Sequence, residues 1–344
     1  MSAQSTGKKA KRLRENDGMT SDLLDMGEVL GVSITCVSET GWFDSGILWD
    51  DVQRAGGPQT NQYDIAYTES NLAGFCALLD VEALDGRHSL YLLDSGWSTE
   101  WMDHAFAMTG VDSLLQDGEV NTLIVSHDHN DHFFGLESTL KRAPDITMYY
   151  PESLGEKSLQ LLDGKDFSAI PGCPKNMFPH TGKRIPTRFG NRYYPQSGMA
   201  VVPFDVTIPL GVRGENVVYV KVKDKGIVVI TGCGHPGLSA ILSCPSTNFA
   251  GGEKLFGCYG GLHIAPMEQW EPHMQESIEL MRKAGLQKIA CNHCTGREWG
   301  RRALRAGLPV VRGTDKYREF NKVPVLADEA DGTLYVGNGD TVSF

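Results

Sequence analysis

Residues 121–132 read NTLIVSHDHNDH. The first five, Asn121 to Val125, are a short apolar run of the kind a buried strand uses. The polar stretch Ser126-His127-Asp128-His129-Asn130-Asp131-His132 follows without a break. Gly135 to Arg142 has helical spacing, which puts the polar stretch on a strand-to-helix loop. Three of the chain's ten histidines fall within the six residues from His127 to His132. Histidines two apart on a loop can aim both imidazoles at one ion, and Asp131 with His132 face a second point close by. Imidazole and carboxylate suit zinc, iron or manganese, with geometry rather than affinity deciding among them.

Working outward, Val32 to Val37 (VSITCV), residues 74–81 (GFCALLDV) and residues 89–93 (SLYLL) predict strands, with a turn at Asp85-Gly86. The last of these ends in the polar turn Asp94-Ser95-Gly96, and a helix is expected from about Thr99 to Met108. The strand–loop–helix unit then recurs three times. Its strands are Gly226 to Ile230, Leu255 to Cys258 and Lys288 to Ala290; its helices are Leu238 to Leu242, about Glu268 to Ala284, and one running through about Arg305. Four strands that each deliver polar residues at their C-terminal ends predict an α/β sandwich with a site along one edge of its sheets. Asp163 to Pro209 is rich in Pro, Gly and aromatics and has little periodicity. It is expected to be an irregular insertion or lid (163–209) in a single domain spanning 31–344, behind a disordered or loosely ordered tail, 1–30.

The 344 residues are 41% hydrophobic and 22% charged, enough for a sizeable core, and carry a formal charge of −11. So acidic a surface repels phosphate backbones and argues against nucleic-acid partners. No apolar run reaches the roughly 20 residues that span a bilayer. Lys8, Lys9, Lys11, Arg12 and Arg14 lead into Glu15-Asn16-Asp17-Gly18 rather than an apolar core, so they do not make a signal peptide. The eight cysteines are scattered, which predicts reduced thiols in a cytoplasmic protein. Cys291 and Cys294 form a C-x-x-C without a second pair, so a closed structural zinc site is not expected, and both thiols are read as packing around His293.

The H-x-H-x-D-H loop resembles the hallmark of the metallo-β-lactamase superfamily. Residues 231–237 (TGCGHPG), 260–263 (GGLH) and 293–296 (HCTG) are together similar to the subgroup related to archaeal dihydropterin–ribofuranosylaminobenzene phosphate synthases, over about residues 30–344. The resemblance implies an αββα metallo-β-lactamase sandwich holding one or two ions, with zinc expected and manganese or iron as alternatives. It implies that His127, His129 and His235 serve one ion and that Asp131, His132 and His293 serve the other. It also implies that Asp94 supports the site through hydrogen bonds, although from the residues alone Asp94 reads as a turn residue. Cys233 lies where other branches keep a bridging aspartate; it is either a thiolate ligand or a small buried residue in a tight Gly-Cys-Gly turn. His263 is read as a site residue near the substrate, or else as a satisfied loop histidine. Two departures bear on the substrate: Asn71-Leu72-Ala73-Gly74 lacks a histidine common in the subgroup, and Phe133-Phe134-Gly135 is bulkier than the residues usual there.

His180, in PHTGK, superficially resembles another ligand motif but falls in the irregular segment and is not expected to bind metal. Lys175 to Arg192 holds five basic residues and no acidic one. Its Lys183, Arg184 and Arg188 are candidates to hold an anionic substrate, or form a solvated face; Phe189, Tyr193 and Tyr194 stack on an aromatic ring or fill the insertion. The expected chemistry is metal-assisted hydrolysis of a small anionic or aromatic molecule, with Asp131 orienting the attacking water and His263 protonating the leaving group. A condensing transferase of the dihydropterin type, a di-iron redox enzyme and a non-catalytic subunit of a hetero-oligomer are the alternatives. A small-molecule substrate and homo- or hetero-oligomeric partners are expected.

Overall fold

The computed structural model of the chain describes residues 23–39, 45–68, 73–320 and 334–344. The basic N-terminal residues from Lys8 to Arg14, and Asn71-Leu72, lie outside the described residues. In chain order the strands are β1 (Val29–Ser38), β2 (Cys76–Ala83), β3 (His88–Leu93), β4 (Val120–Ile124), β5 (Thr147–Pro151), β6 (Arg184–Thr187) and β7 (Tyr193–Gln196). They continue as β8 (Met199–Ile208), β9 (Val212–Val222), β10 (Gly226–Thr231), β11 (Leu255–Gly260), β12 (Lys288–Cys291) and β13 (Thr341–Ser343). The helices are α1 (Ser45–Arg54), α2 (Thr99–Thr109), α3 (Val111–Gln116), α4 (Asn130–Phe133), α5 (Leu136–Leu140), α6 (Glu156–Leu162), α7 (Leu238–Asn248), α8 (Gln275–Ala284), α9 (Arg297–Arg305) and α10 (Tyr317–Phe320).

The strands form one hydrogen-bonded path, β12-β11-β10-β9-β1-β2-β3-β4-β5-β6, with β13 joined to β1 and the β7–β8 hairpin joined to β9. Period-two alternation shows how this path folds on itself. Ala77, Leu79 and Val81 of β2 share one apolar layer with Val218 and Val220 of β9 and Val228 and Ile230 of β10. The intervening residues Val217, Tyr219, Ile227 and Val229 turn the other way, onto Ile241 of α7, Ile278 and Met281 of α8, and Trp299 and Ala303 of α9. On the opposite outer face, Leu92, Leu123 and Met148 pack on Met102 and Phe106 of α2, Leu115 of α3, Leu136 and Leu140 of α5, and Leu161 of α6. Three apolar layers separate helices, sheet, sheet and helices, which is the expected αββα sandwich. β3 and β4 are parallel, as are β10, β11 and β12, so their C-terminal ends deliver loops to a common edge.

Two expectations about irregular segments need correction. The stretch 163–209 is not an irregular insertion throughout: from Arg184 onward it supplies β6, β7 and β8, and β8 pairs with β9 along most of its length. Prolines and aromatics had hidden the alternation, because β6 and β7 have only four residues each. Nor is the whole of 1–30 loose. Met26 is buried, the Leu24 amide donates to the Asn248 carbonyl, and β1 begins at Val29. Among the described residues no helix is long and apolar enough to cross a membrane.

The bulky Phe133-Phe134 pair has a packing explanation. Phe133 enters the layer under α2 and α5. Phe134 enters a satellite cluster with Val52, Tyr63, Ile65, Tyr67 and Trp97, its ring centroid 4.7 Å from that of Tyr63. This cluster clamps the segment bearing α1 against the H-x-H-x-D-H loop. Beside it, Gly74 has φ +69, and a Cβ there would stand 2.1 Å from the Asp131 carbonyl oxygen. Strain and overlap act together at this position, so Gly74→Ala is expected to destabilise the fold by at least about 2 kcal/mol. Thermal unfolding of the two proteins measures this; equal melting temperatures would contradict it.

Candidate metal centre

Asp94 follows β3 directly and is fully buried. One carboxylate oxygen accepts the Ser126 amide at 2.6 Å; the other accepts the Ser126 hydroxyl at 2.6 Å and His132 Nδ1 at 2.8 Å. These bonds fasten the end of β3 to the start of the site loop and fix the His132 tautomer. With Nδ1 turned to Asp94, His132 turns Nε2 toward the cluster, 3.1 Å from Cys233 Sγ and 3.0 Å from His293 Nε2. The Asp131 carboxylate lies 3.3 Å from His293 Nε2 and 3.5 Å from His132 Nε2. The donor atoms of Asp131, His132, Cys233 and His293 all lie within 4.8 Å of one another, and so do those of His127, Cys233 and His235.

Most of the expected ligands therefore converge, with adjustments. Cys233, left open between ligand and packing residue, has its sulfur in both groups. His129 borders the first group: its Nδ1 lies 3.1 Å from His127 Nε2, and its Nε2 faces the Pro209 carbonyl at 3.1 Å. His263 stands exposed at the mouth, its ring centroid 4.3 Å from that of His235. Cys294, read as packing around His293, instead joins Cys233 and His263 in a third group of donors within 4.8 Å.

Burial and mutual charge set the protonation states. Burial holds His127 and His235 well below the ordinary imidazole range, reinforced by the surrounding histidines, and brings His129 down to about 4. Burial alone would also lower His132, but the charges of Asp131 and Asp94 outweigh it and raise this group to about 9. Burial alone would raise Asp131; the charge of His132 and the hydrogen bond with His293 outweigh it and keep the carboxylate well below its usual range.

The donor set fits a divalent cation. His235 Nε2 is buried without a hydrogen-bond partner, an arrangement that costs free energy unless something binds there. Imidazole, carboxylate and thiolate together suit zinc or iron, with manganese less well served by sulfur.

Backbone conformation adds a second signature. Among the described residues six non-glycine positions have positive φ, and Asp94 (61°), His263 (44°) and His293 (53°) are three of them. Such conformations persist where surrounding structure enforces them, and they cluster at functional sites.

Sequence reading missed Glu215. It is fully buried on β9 and receives the amides of Cys233 at 3.1 Å, Gly234 at 2.7 Å and His235 at 2.7 Å. Burial raises its pKa to about 7 against the lowering effect of those three donors. The signal was available: an acid two residues before the apolar run Val217 to Val220 sits where a strand enters the core and needs a partner there. Asp128 was likewise missed. It accepts the Gly155 amide at 3.0 Å and the Ser158 hydroxyl at 2.6 Å, anchoring the site loop to α6.

The basic segment does not reach this site. Lys183 and Arg184 open the β6 region, two strands from β4, where Arg184 pairs with Asp163 at 2.8 Å and donates to His180 Nδ1 at 3.2 Å. Arg188 faces Glu152 at 3.8 Å. His180 Nε2 lies 2.7 Å from the Ile146 carbonyl, so both its ring nitrogens are engaged away from the cluster. Tyr193 bonds the Arg188 amide and Phe189 packs under Arg213. The expected substrate-binding role of Lys183, Arg184 and Arg188 is corrected accordingly: short β6 carries them to the outer part of the sheet. A cleft of about 260 Å³ opens above the cluster instead, floored by His129, Asp131, Cys233, His235, His263 and Cys294.

The chain belongs to the metallo-beta-lactamase superfamily, whose family model matches residues 73–247. It is 31% identical over 75 residues to the 7,8-dihydropterin-6-methyl-4-(beta-D-ribofuranosyl)-aminobenzene-5'-phosphate synthase of Methanocaldococcus jannaschii, covering 22% of this chain and 24% of that protein. It is 34% identical over 65 residues to the hydroxyacylglutathione hydrolase of Cronobacter sakazakii, covering 18% of this chain and 26% of that one. The chain thus spans about a quarter of the length of each of these curated relatives. Among solved structures it is similar to a metal-dependent hydrolase of the beta-lactamase superfamily, at 19% identity and a TM-score of 0.48, over 80% of this chain and 91% of that one.

Asp94 and Glu215 orient ligands without lying among them, and such partners typically govern metal affinity by 10–100-fold. Asp94→Ala is expected to weaken zinc binding within that range while the chain remains folded. Competition against a chromophoric chelator measures the loss; unchanged affinity would remove Asp94 from the site.

Proposed function

We propose that the chain is a metal-dependent hydrolase acting on a small molecule, with zinc as the cation. The observation that carries this reading is the convergence of Asp131, His132, Cys233 and His293 on one point, with His127 and His235 grouped on the other side of the same sulfur. A cation bound there supplies Lewis acidity and brings the ionisation of water near neutral pH.

The chain's own residues then have defined tasks. His132 and His293 keep Asp131 ionised, so its carboxylate can accept a hydrogen bond from the attacking water and orient it. Asp94 holds His132 by Nδ1, leaving Nε2 to face the ion. His263, exposed at the mouth, is placed to protonate a departing group. Gly261 beside it makes room, since a Cβ there would stand 2.4 Å from the Gly232 carbonyl oxygen.

A condensing reaction of the dihydropterin synthase type is the second reading. It is favoured by the 75-residue match and testable with a pterin and a phosphorylated aminobenzene as substrates.

His127→Ala and Asp131→Ala are each expected to lower zinc content and to reduce turnover on a panel of aryl esters and phosphates more than about a hundredfold. Elemental analysis and initial rates check this, and unchanged metal content with unchanged rate would sink the hydrolase reading. His263→Gln separates the roles. It should retain full zinc while losing about 10²–10⁴ in kcat, the usual scale for a proton donor. A loss of zinc in that variant would make His263 a ligand instead.

A further inference from the structure

The cleft above the ligand cluster has unusual walls for a site expected to hold an anion. No lysine or arginine is among the described residues that line it, and Asp131, held between His132 and His293, is its one acidic group. The walls are Leu48, Trp49 and Val52 of α1 together with Leu210, Pro266 and Met267. A charged arm entering here would lose hydration and gain no counter-ion, whereas a hydrocarbon arm would gain from desolvation.

Three further observations show that this wall is built in place. Val52 belongs to the Tyr63–Phe134 cluster that clamps α1 against the site loop. Asp51, buried beside it, accepts the Thr68 amide at 2.7 Å and hydroxyl at 2.8 Å, fixing the helix from behind. Leu210 sits at φ 65°, where a leucine is disfavoured, and its backbone is pinned there by its N–H, which donates to the Pro58 carbonyl at 2.8 Å. The strained turn presents an apolar side chain to the cleft. Trp49 and Met267 are each 44% exposed at its edge. Both also border an adjoining concavity of about 450 Å³ with Gly46 and Gln269, so the apolar path continues outward from the cluster.

We infer that the substrate carries an uncharged hydrocarbon arm, an alkyl or acyl chain, that runs from the ligand cluster along Leu48, Val52 and Leu210 and out between Trp49 and Met267. This deepens the hydrolase reading and rests on the cluster being a metal centre, with Trp49 and Met267 setting preference for arm length.

The test uses the zinc-loaded full-length chain and a series of straight-chain hydroxamates from acetohydroxamate to octanohydroxamate, with binding measured by calorimetry. The hydroxamate group probes the metal centre and the chain probes the path. Affinity is expected to rise about threefold to fourfold per methylene until the path is filled. Trp49→Ala should cut that rise to less than half its wild-type steepness. Trp49 is 44% exposed and lies outside the buried apolar clusters, so the variant is expected to fold.

If all members bind with similar affinity, the metal centre stands and the hydrocarbon arm is overturned. A rise that is equally steep in Trp49→Ala overturns the assigned path. If none binds, the metal reading and the hydrocarbon arm both fall.

Discussion

The site depends on one buried carboxylate. Asp94 ends β3 in a left-handed conformation and takes three donors, two from Ser126 and one from His132. An unpaired carboxylate in that position would cost several kilocalories per mole, so the three bonds are obligatory once the sheets close over it. They hold the ends of β3 and β4 together and set which nitrogen of His132 is free. Everything downstream of that choice, including the approach of His132 Nε2 to His293 and Cys233, follows from it.

The rest of the cluster is an electrostatic problem solved by a second buried acid. Six imidazoles and two thiols crowd around one edge of the sandwich, where low dielectric makes bare lone pairs repel and unpaired donors costly. Glu215 receives the three consecutive amides that begin at Cys233, so the turn carrying two donor side chains is fixed before any ion arrives. Close approach of His132 Nε2 and His293 Nε2 at 3.0 Å, and the unpartnered Nε2 of His235, are arrangements that a cation between the donors relieves. The polypeptide thus stores unfavourable contacts that binding converts into ligation, the usual coupling of a preformed site to its ion.

Much of this was legible in the sequence because it is local. The H-x-H-x-D-H loop, the strand before it and the helix after it occupy one continuous stretch, and the later motifs TGCGHPG and HCTG each follow an apolar strand. The two-faced packing of β9 was not legible in the same way, because Val212–Val222 was not read as a strand, and β10 is buried at every position. The segment 163–209 was misread because four-residue strands broken by proline and glycine show no alternation to count. Charge misled in the same region: five basic residues in an acidic chain suggested an anion site, yet Arg184 and Arg188 face Asp163 and Glu152 instead.

By itself, then, the sequence determined the residue types available for chemistry, the strands that end in them and the class of fold they imply, because those properties depend on neighbours within a few positions. Only the tertiary structure decided that Cys233 shares its sulfur among three donor groups, that Cys294 turns toward His263, and that Glu215 governs a turn 18 residues away. It also decided that α1 and Leu210, rather than the basic segment, wall the cleft. The physical reason is that these relations arise where parallel strand ends meet across a folded sheet. There, burial forces every charge to find a partner, and partner choice depends on packing between segments far apart in the chain.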